Sequence, residues 1–165
     1  MVVIIIGMIS SIAVPRVAQA AKNSRVNALS ETLTNVRTAI YVYYAEHSRY
    51  PGYDPSTGLP NDQKFVDQLL MYSNASGQTQ AAPSCSYIYG PYLRSPFPQN
   101  PHNKLATVKV KPTPSTADPA PGSVGWVAVL SHGYFGIHAN DTELEDIGAP
   151  TPNLKSLLRG LGSTQ

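Results

Sequence analysis

Only one of the 165 residues is a cysteine, Cys85, so no disulfide can close within the chain and a disulfide-stapled module is excluded. No set of partners for a cysteine nucleophile accompanies it, and the expectation is a small apolar residue buried in the core. Charge is scarce as well. Asp, Glu, Lys and Arg make up 13% of the chain, and its 12 basic and 10 acidic residues form no run of like sign. A nucleic-acid binder concentrates basic residues on one face, so no nucleic-acid partner is expected. There is no Gly-rich phosphate loop, no G-x-S-x-G, no H-E-x-x-H and no Ser/His/Asp spacing that marks a triad, so the chain is not expected to be an enzyme. Proline and glycine, with 15 and 12 copies, are plentiful overall yet wholly absent between residues 16 and 50.

That gap is the longest regular feature of the sequence. Residues 16–50 are rich in Ala, Arg, Gln, Leu and Glu, which favour helix. Val26, Leu29, Leu33, Val36, Ile40 and Tyr43 recur at alternating steps of three and four, which draws one apolar stripe along a helix. Arg25, Glu31, Asn35 and Arg37 fill other faces, and Pro51-Gly52 is the expected stop. Before it, MVVIIIGMISSIAV carries no charge. At about 20 residues for a bilayer span, this run is too short to cross a membrane alone. It lacks the preceding basic segment of a signal peptide. Joined to the second segment it makes a helix of roughly 75 Å at about 1.5 Å per residue, longer than an ordinary domain of this size holds.

Beyond residue 60 the elements shorten. Asn61 is expected to open a helix over residues 61–73, with Phe65, Val66, Leu69, Leu70 and Tyr72 on one side. Residues 78–103 read as irregular. Residues 105–111 alternate as a strand, and a Pro/Ser/Thr/Ala segment, 112–123, reads as a solvated loop. Residues 126–130 and 134–138 read as a hairpin across Ser131-His132-Gly133, giving a sheet over 105–138. The tail, 139–165, is expected to hold a short helix over 152–159, opened by Thr151-Pro152 and stopped by Gly160. Trp126 lies in a run too apolar for a solvent-facing edge and is expected between sheet and long helix.

MVVIIIGMISSIAVPRV resembles the N-terminal segment of type IV pilins and type II secretion pseudopilins: an aliphatic run, Gly7, a second run with small residues, and Pro15 eight residues on, followed by an Ala-rich amphipathic helix. Gly90-Pro91-Tyr92-Leu93, Pro96-Phe97-Pro98, Asn100-Pro101 and Gly125-Trp126 are similar, more loosely, to the segment joining helix to sheet in major pseudopilins. The family's basic leader, cleavage site and early acidic residue would lie upstream of Met1, so the sequence is expected to begin inside that pattern.

The resemblance implies an α+β, pilin-like fold: a long N-terminal helix packed on a small antiparallel sheet, with residues 1–24 as membrane and filament-core helix and 25–165 as a periplasmic head. It implies that Val2, Val3, Ile4, Ile5, Ile6, Gly7, Ile9, Ile12, Val14 and Pro15 form the membrane and filament core. Val26, Leu29, Leu33, Val36, Ile40, Tyr43 and Trp126 would join helix to sheet. Partners implied are further copies in a helical filament, minor pseudopilins, an inner-membrane assembly platform and, before assembly, the lipid bilayer. The chain would sit in a bacterial inner membrane as a single pass. The positive-inside rule alone would instead put Arg16, Lys22 and Arg25 in the cytoplasm. Absence of a Cys pair favours the secretion pseudopilus over a surface pilus for adhesion, motility or DNA uptake. A monomeric membrane-anchored binding module is the reading from another class. Gly7, Ser10, Ser11 and Pro15 weaken helix locally, and the resemblance implies that this stretch extends in a filament while an isolated subunit keeps it helical.

Two constellations have ligand chemistry. Asn140, Asp141, Glu143, Glu145 and Asp146 offer oxygen ligands of the kind calcium takes, and the resemblance implies a calcium site in loops near the sheet. Their spacing is not an EF-hand, and a solvated charged loop is the plainer expectation. His132 and His138 lie six apart and so share a strand face, but no third ligand has suitable spacing; solvated or half-buried histidines are expected.

Overall fold

A computed structural model describes residues 2–137 except 115, 118 and 121, with side chains from Ala20 onward. The architecture is α+β. Helix α1 (Val2–His47) comes first and is followed by α2 (Asp62–Leu70), a two-stranded ribbon of β1 (Tyr72–Ser73) and β2 (Thr79–Gln80), and a sheet of β3 (Val108–Lys111), β4 (Trp126–Val129) and β5 (Tyr134–Gly136).

α1 is continuous through Pro15 and runs 46 residues, about 69 Å. It ends at His47, four positions before Pro51; Ser48 turns into the left-handed region at φ 55° and its N–H reaches back to the Tyr44 carbonyl. α2 starts as the sequence implies: the Asn61 side chain accepts from the Gln63 and Lys64 N–H groups. It stops at Leu70 and does not reach residue 73. Met71 turns extended, and Tyr72 and Ser73 pair with Gln80 and Thr79, so cross-strand bonds take the residues the helix would have used. Tyr72 is therefore a ribbon residue.

The sheet is mixed, which corrects the antiparallel expectation. β4 and β5 form the anticipated antiparallel hairpin, with Ala128 opposite Phe135. β3, however, runs parallel to β4, with Val108 opposite Trp126. Residues 112–125 are long enough to carry the chain back to the starting end of β3, as a parallel pair requires. Each outer strand has a backbone group bonded by a charged side chain. On β3, Asp62 accepts from the Val110 N–H at 2.7 Å and from Lys109 Nζ at 3.0 Å. On β5, the outermost strand among the described residues, Arg37 Nε donates to the Phe135 carbonyl at 2.9 Å.

One core joins these parts. Trp126, Phe135 and Phe65 form a stack, with centroid spacings of 5.2 and 5.8 Å, and Phe97 meets Phe65 and Phe135 edge-on. Leu69, Val108, Val110, Ala128, Leu130 and Ile137 fill in around them. Cys85 is exposed, not buried: it lies in the turn where Ser84 and Tyr87 bond each other, and no layer covers that turn.

The 100–107 segment holds the start of β4. Asn100, 3% exposed, donates through its amide to the Gly125 carbonyl at 2.8 Å, and Asn103 does the same to Val124. A Cβ at Gly125 would stand 2.1 Å from the Leu105 carbonyl oxygen, which is itself bonded to the Asn100 N–H. Gly125→Ala is therefore expected to cost at least about 2 kcal/mol through forced backbone displacement. Thermal melting of the variant checks this, and an unchanged melting temperature would show that the segment yields freely.

Candidate assembly site

The stripe seen in the sequence is the spine of the head. Leu29, Leu33, Val36, Ile40 and Tyr43 are all within 1% of complete burial, and Ala39 lies beside them. Val26 is half-buried, and Ala20 through Arg25 are exposed. The head thus grips α1 from Val26 onward, and the helix has left it by Arg25. Trp126 is fully buried, stacked on Phe135, with its indole N–H donating to the Pro98 carbonyl at 2.9 Å. Val2, Val3, Ile4, Ile5, Ile6, Gly7, Ile9, Ile12, Val14 and Pro15 lie on the backbone of α1; their side chains are outside the described residues.

The far end of α1 is pinned by a residue that the stripe's own arithmetic reaches. One more step of four beyond Tyr43 lands on His47, which is 8% exposed. Its ring stacks on Tyr43 at 4.0 Å and meets Tyr89 edge-on. Nδ1 is 3.1 Å from the Tyr43 carbonyl, while Nε2 is 3.1 Å from both the Asn74 carbonyl and Ser73 Oγ. His47 therefore ties the last turn of α1 to the β1–β2 ribbon. Tyr92 adds a second tie by donating to the Glu46 carboxylate. Burial, then that bond, raises the Tyr92 pKa. Burial likewise pushes the Tyr43 phenol up to about 12, against the opposing charge of Arg49. Arg37, whose pKa burial lowers, makes a third tie to β5. Gln68, 1% exposed, accepts from the Gly52 N–H and donates to the Tyr53 and Gly77 carbonyls, locking α2 to the turns on either side. Head and helix are joined at many points along about 30 Å of α1.

No protein-family model, curated protein or solved structure matches this chain.

Most of the ligand candidates fall outside the described part of the chain. Asn140, Asp141, Glu143, Glu145, Asp146 and His138 lie outside the described residues, as does the expected helix over 152–159. His132 is exposed, bonded to Ser131 Oγ and stacked on Tyr134. Among the described residues no three His, Cys, Asp or Glu side chains come together as a metal group, and no helix is long and apolar enough to cross a membrane.

Proposed function

We propose that this chain is a structural subunit that polymerises through α1, in the manner of the type II secretion pseudopilins its N-terminus resembles. The observation that carries the reading is the division of one helix into two environments. From Val26 to His47 it is the buried spine of the head, and from Ala20 to Arg25 it stands in solvent, leading back to an aliphatic run without charge. A helix segment that is apolar nearly all round needs lipid or other helices about it. In this reading subunits wait in a bacterial inner membrane with the head in the periplasm. An assembly platform then extracts them, and they stack with minor pseudopilins into a short filament that moves exported proteins toward the outer membrane. The bonds at the sheet edges fit such a role, because they disfavour strand-to-strand pairing between heads.

Removal of residues 1–24 is expected to leave a soluble, monomeric, folded head. Sedimentation and light scattering of the truncated protein check this; a product that stays with membranes or is insoluble would break the division into anchor and head. For the whole chain, electron microscopy after overexpression in bacteria is expected to reveal filaments. A full-length protein that stays monomeric in the membrane at high subunit levels would instead favour an anchored binding module.

A further inference from the structure

The oxygens around His47 ask for more donors than a neutral imidazole has. Nδ1 is 3.1 Å from the Tyr43 carbonyl oxygen, and Nε2 is 3.1 Å from the Asn74 carbonyl oxygen. A carbonyl only accepts. The neutral ring has one N–H and one lone pair, whereas the imidazolium has two N–H groups. In either neutral tautomer a nitrogen lone pair therefore faces a carbonyl oxygen at hydrogen-bond distance. The protonated ring donates to both. Ser73 Oγ, 3.1 Å from Nε2, is the one of the three oxygens that can either accept or donate.

Each element packed against the ring adds a group of its own. On α1, Tyr43 lies parallel to it at 4.0 Å and presents a ring face, which attracts a cation. Glu46, beside it in the chain, is held by Tyr92, and Arg49 lies exposed two residues on. Tyr89 and Tyr92 meet the ring edge-on at 5.0 and 6.3 Å. The ribbon offers only the Ser73 hydroxyl and the Asn74 carbonyl, neither of which titrates. Burial raises the Tyr43 and Tyr92 pKa values, so both phenols stay neutral across the range in which histidine titrates. Desolvation and Arg49 oppose a charged ring, while the two carbonyls, the Tyr43 face and Glu46 favour it.

We propose that His47 is a pH-dependent clasp between the last turn of α1 and the β1–β2 ribbon. Protonated, it donates from Nδ1 to the Tyr43 carbonyl and from Nε2 to the Asn74 carbonyl. When the Nε2 proton leaves to solvent, the Ser73 hydroxyl turns to donate to that nitrogen, and the Asn74 carbonyl loses the ring. The helix end then rests on the ribbon through stacking and Ser73 alone. Histidine exchanges this proton between about pH 5 and pH 8. Protonation favours the folded head, so the contribution is complete at the acid end of that range and is lost as pH rises through it. The clasp acts within one subunit and is independent of how copies associate.

The test uses the full chain in detergent micelles. Urea unfolding of the unmodified chain and of His47→Gln is followed at the two ends of the window, about pH 5.5 and about pH 8. Glutamine keeps a polar amide at the site but cannot take the proton. The folded-to-unfolded ratio of the unmodified chain, taken relative to the variant, is expected to be about tenfold larger at the lower pH. His102, His132 and His138 are present in both chains and cancel in the comparison. Nitrogen NMR of histidine-labelled, unmodified chain reads the ring without a variant. The His47 signals, identified by their contacts with the Tyr43 ring, are expected to show two protonated nitrogens at the lower pH and one at the upper. Equal pH dependence of the two chains, or a His47 ring with a single N–H across the whole window, would overturn the clasp.

Discussion

Ile9→Lys is expected to abolish assembly while the head stays folded. Residue 9 lies on α1 seventeen positions before Val26, about 25 Å along the helix from the first residue the head grips. It belongs to a run whose only favourable surroundings are lipid or neighbouring apolar helices. A lysine at a helix centre in lipid costs roughly 2.5–3.5 kcal/mol on the insertion scale. Among packed aliphatic chains an unpaired ammonium is no better placed. In a polymer the cost recurs at every subunit. The variant is expressed in cells lacking the unmodified chain, its membrane level is matched by immunoblot, and filaments are counted by electron microscopy. The head is followed by near-ultraviolet circular dichroism. Normal filaments at normal subunit levels would remove the core role assigned to this run.

Trp126→Ala carries the largest expected loss in the head. The indole is fully buried, stacks on Phe135 and donates to the Pro98 carbonyl. Truncation leaves a cavity where three aromatic rings meet, at about 3–5 kcal/mol. For a domain of this size that is roughly 10–15 °C in melting temperature. Trp126→Phe keeps most of the ring and loses only the N–H, so the Pro98 carbonyl is left without that donor at about 1–3 kcal/mol. A melting temperature unmoved by Trp126→Ala would mean that the 97–98 segment and Phe135 close over the gap without loss.

Local pattern made much of this architecture legible. The alternating spacing from Val26 to Tyr43 marks the buried face of α1, and the Asn61 cap and the Ser131-His132-Gly133 turn mark a helix start and a hairpin. Each of these is decided within a few residues. What escaped is decided between distant ones. The parallel pairing of β3 with β4 depends on how residues 112–125 return along the sheet, and nothing in the four residues of β3 encodes direction. The ribbon of β1 and β2 is two residues per strand, too short for any alternation to register. His47 was within reach, since the stripe's next step lands on it, but a histidine breaks an apolar pattern unless its carbonyl and hydroxyl partners are known. Asn100 and Gln68 act through backbone groups of segments 25 and 9–16 residues away, and Cys85 followed a burial preference that its turn does not honour.

The charges on the margins of the sheet bear on what happens when many copies lie side by side. Strands with unsatisfied outer groups recruit one another, and crowding in a membrane raises the local concentration at which that recruitment starts. Here Asp62 occupies the Val110 N–H and Arg37 occupies the Phe135 carbonyl, each with a side chain that an incoming strand would have to displace. Under the proposed reading, these two bonds make strand-to-strand pairing between the heads of waiting subunits less favourable.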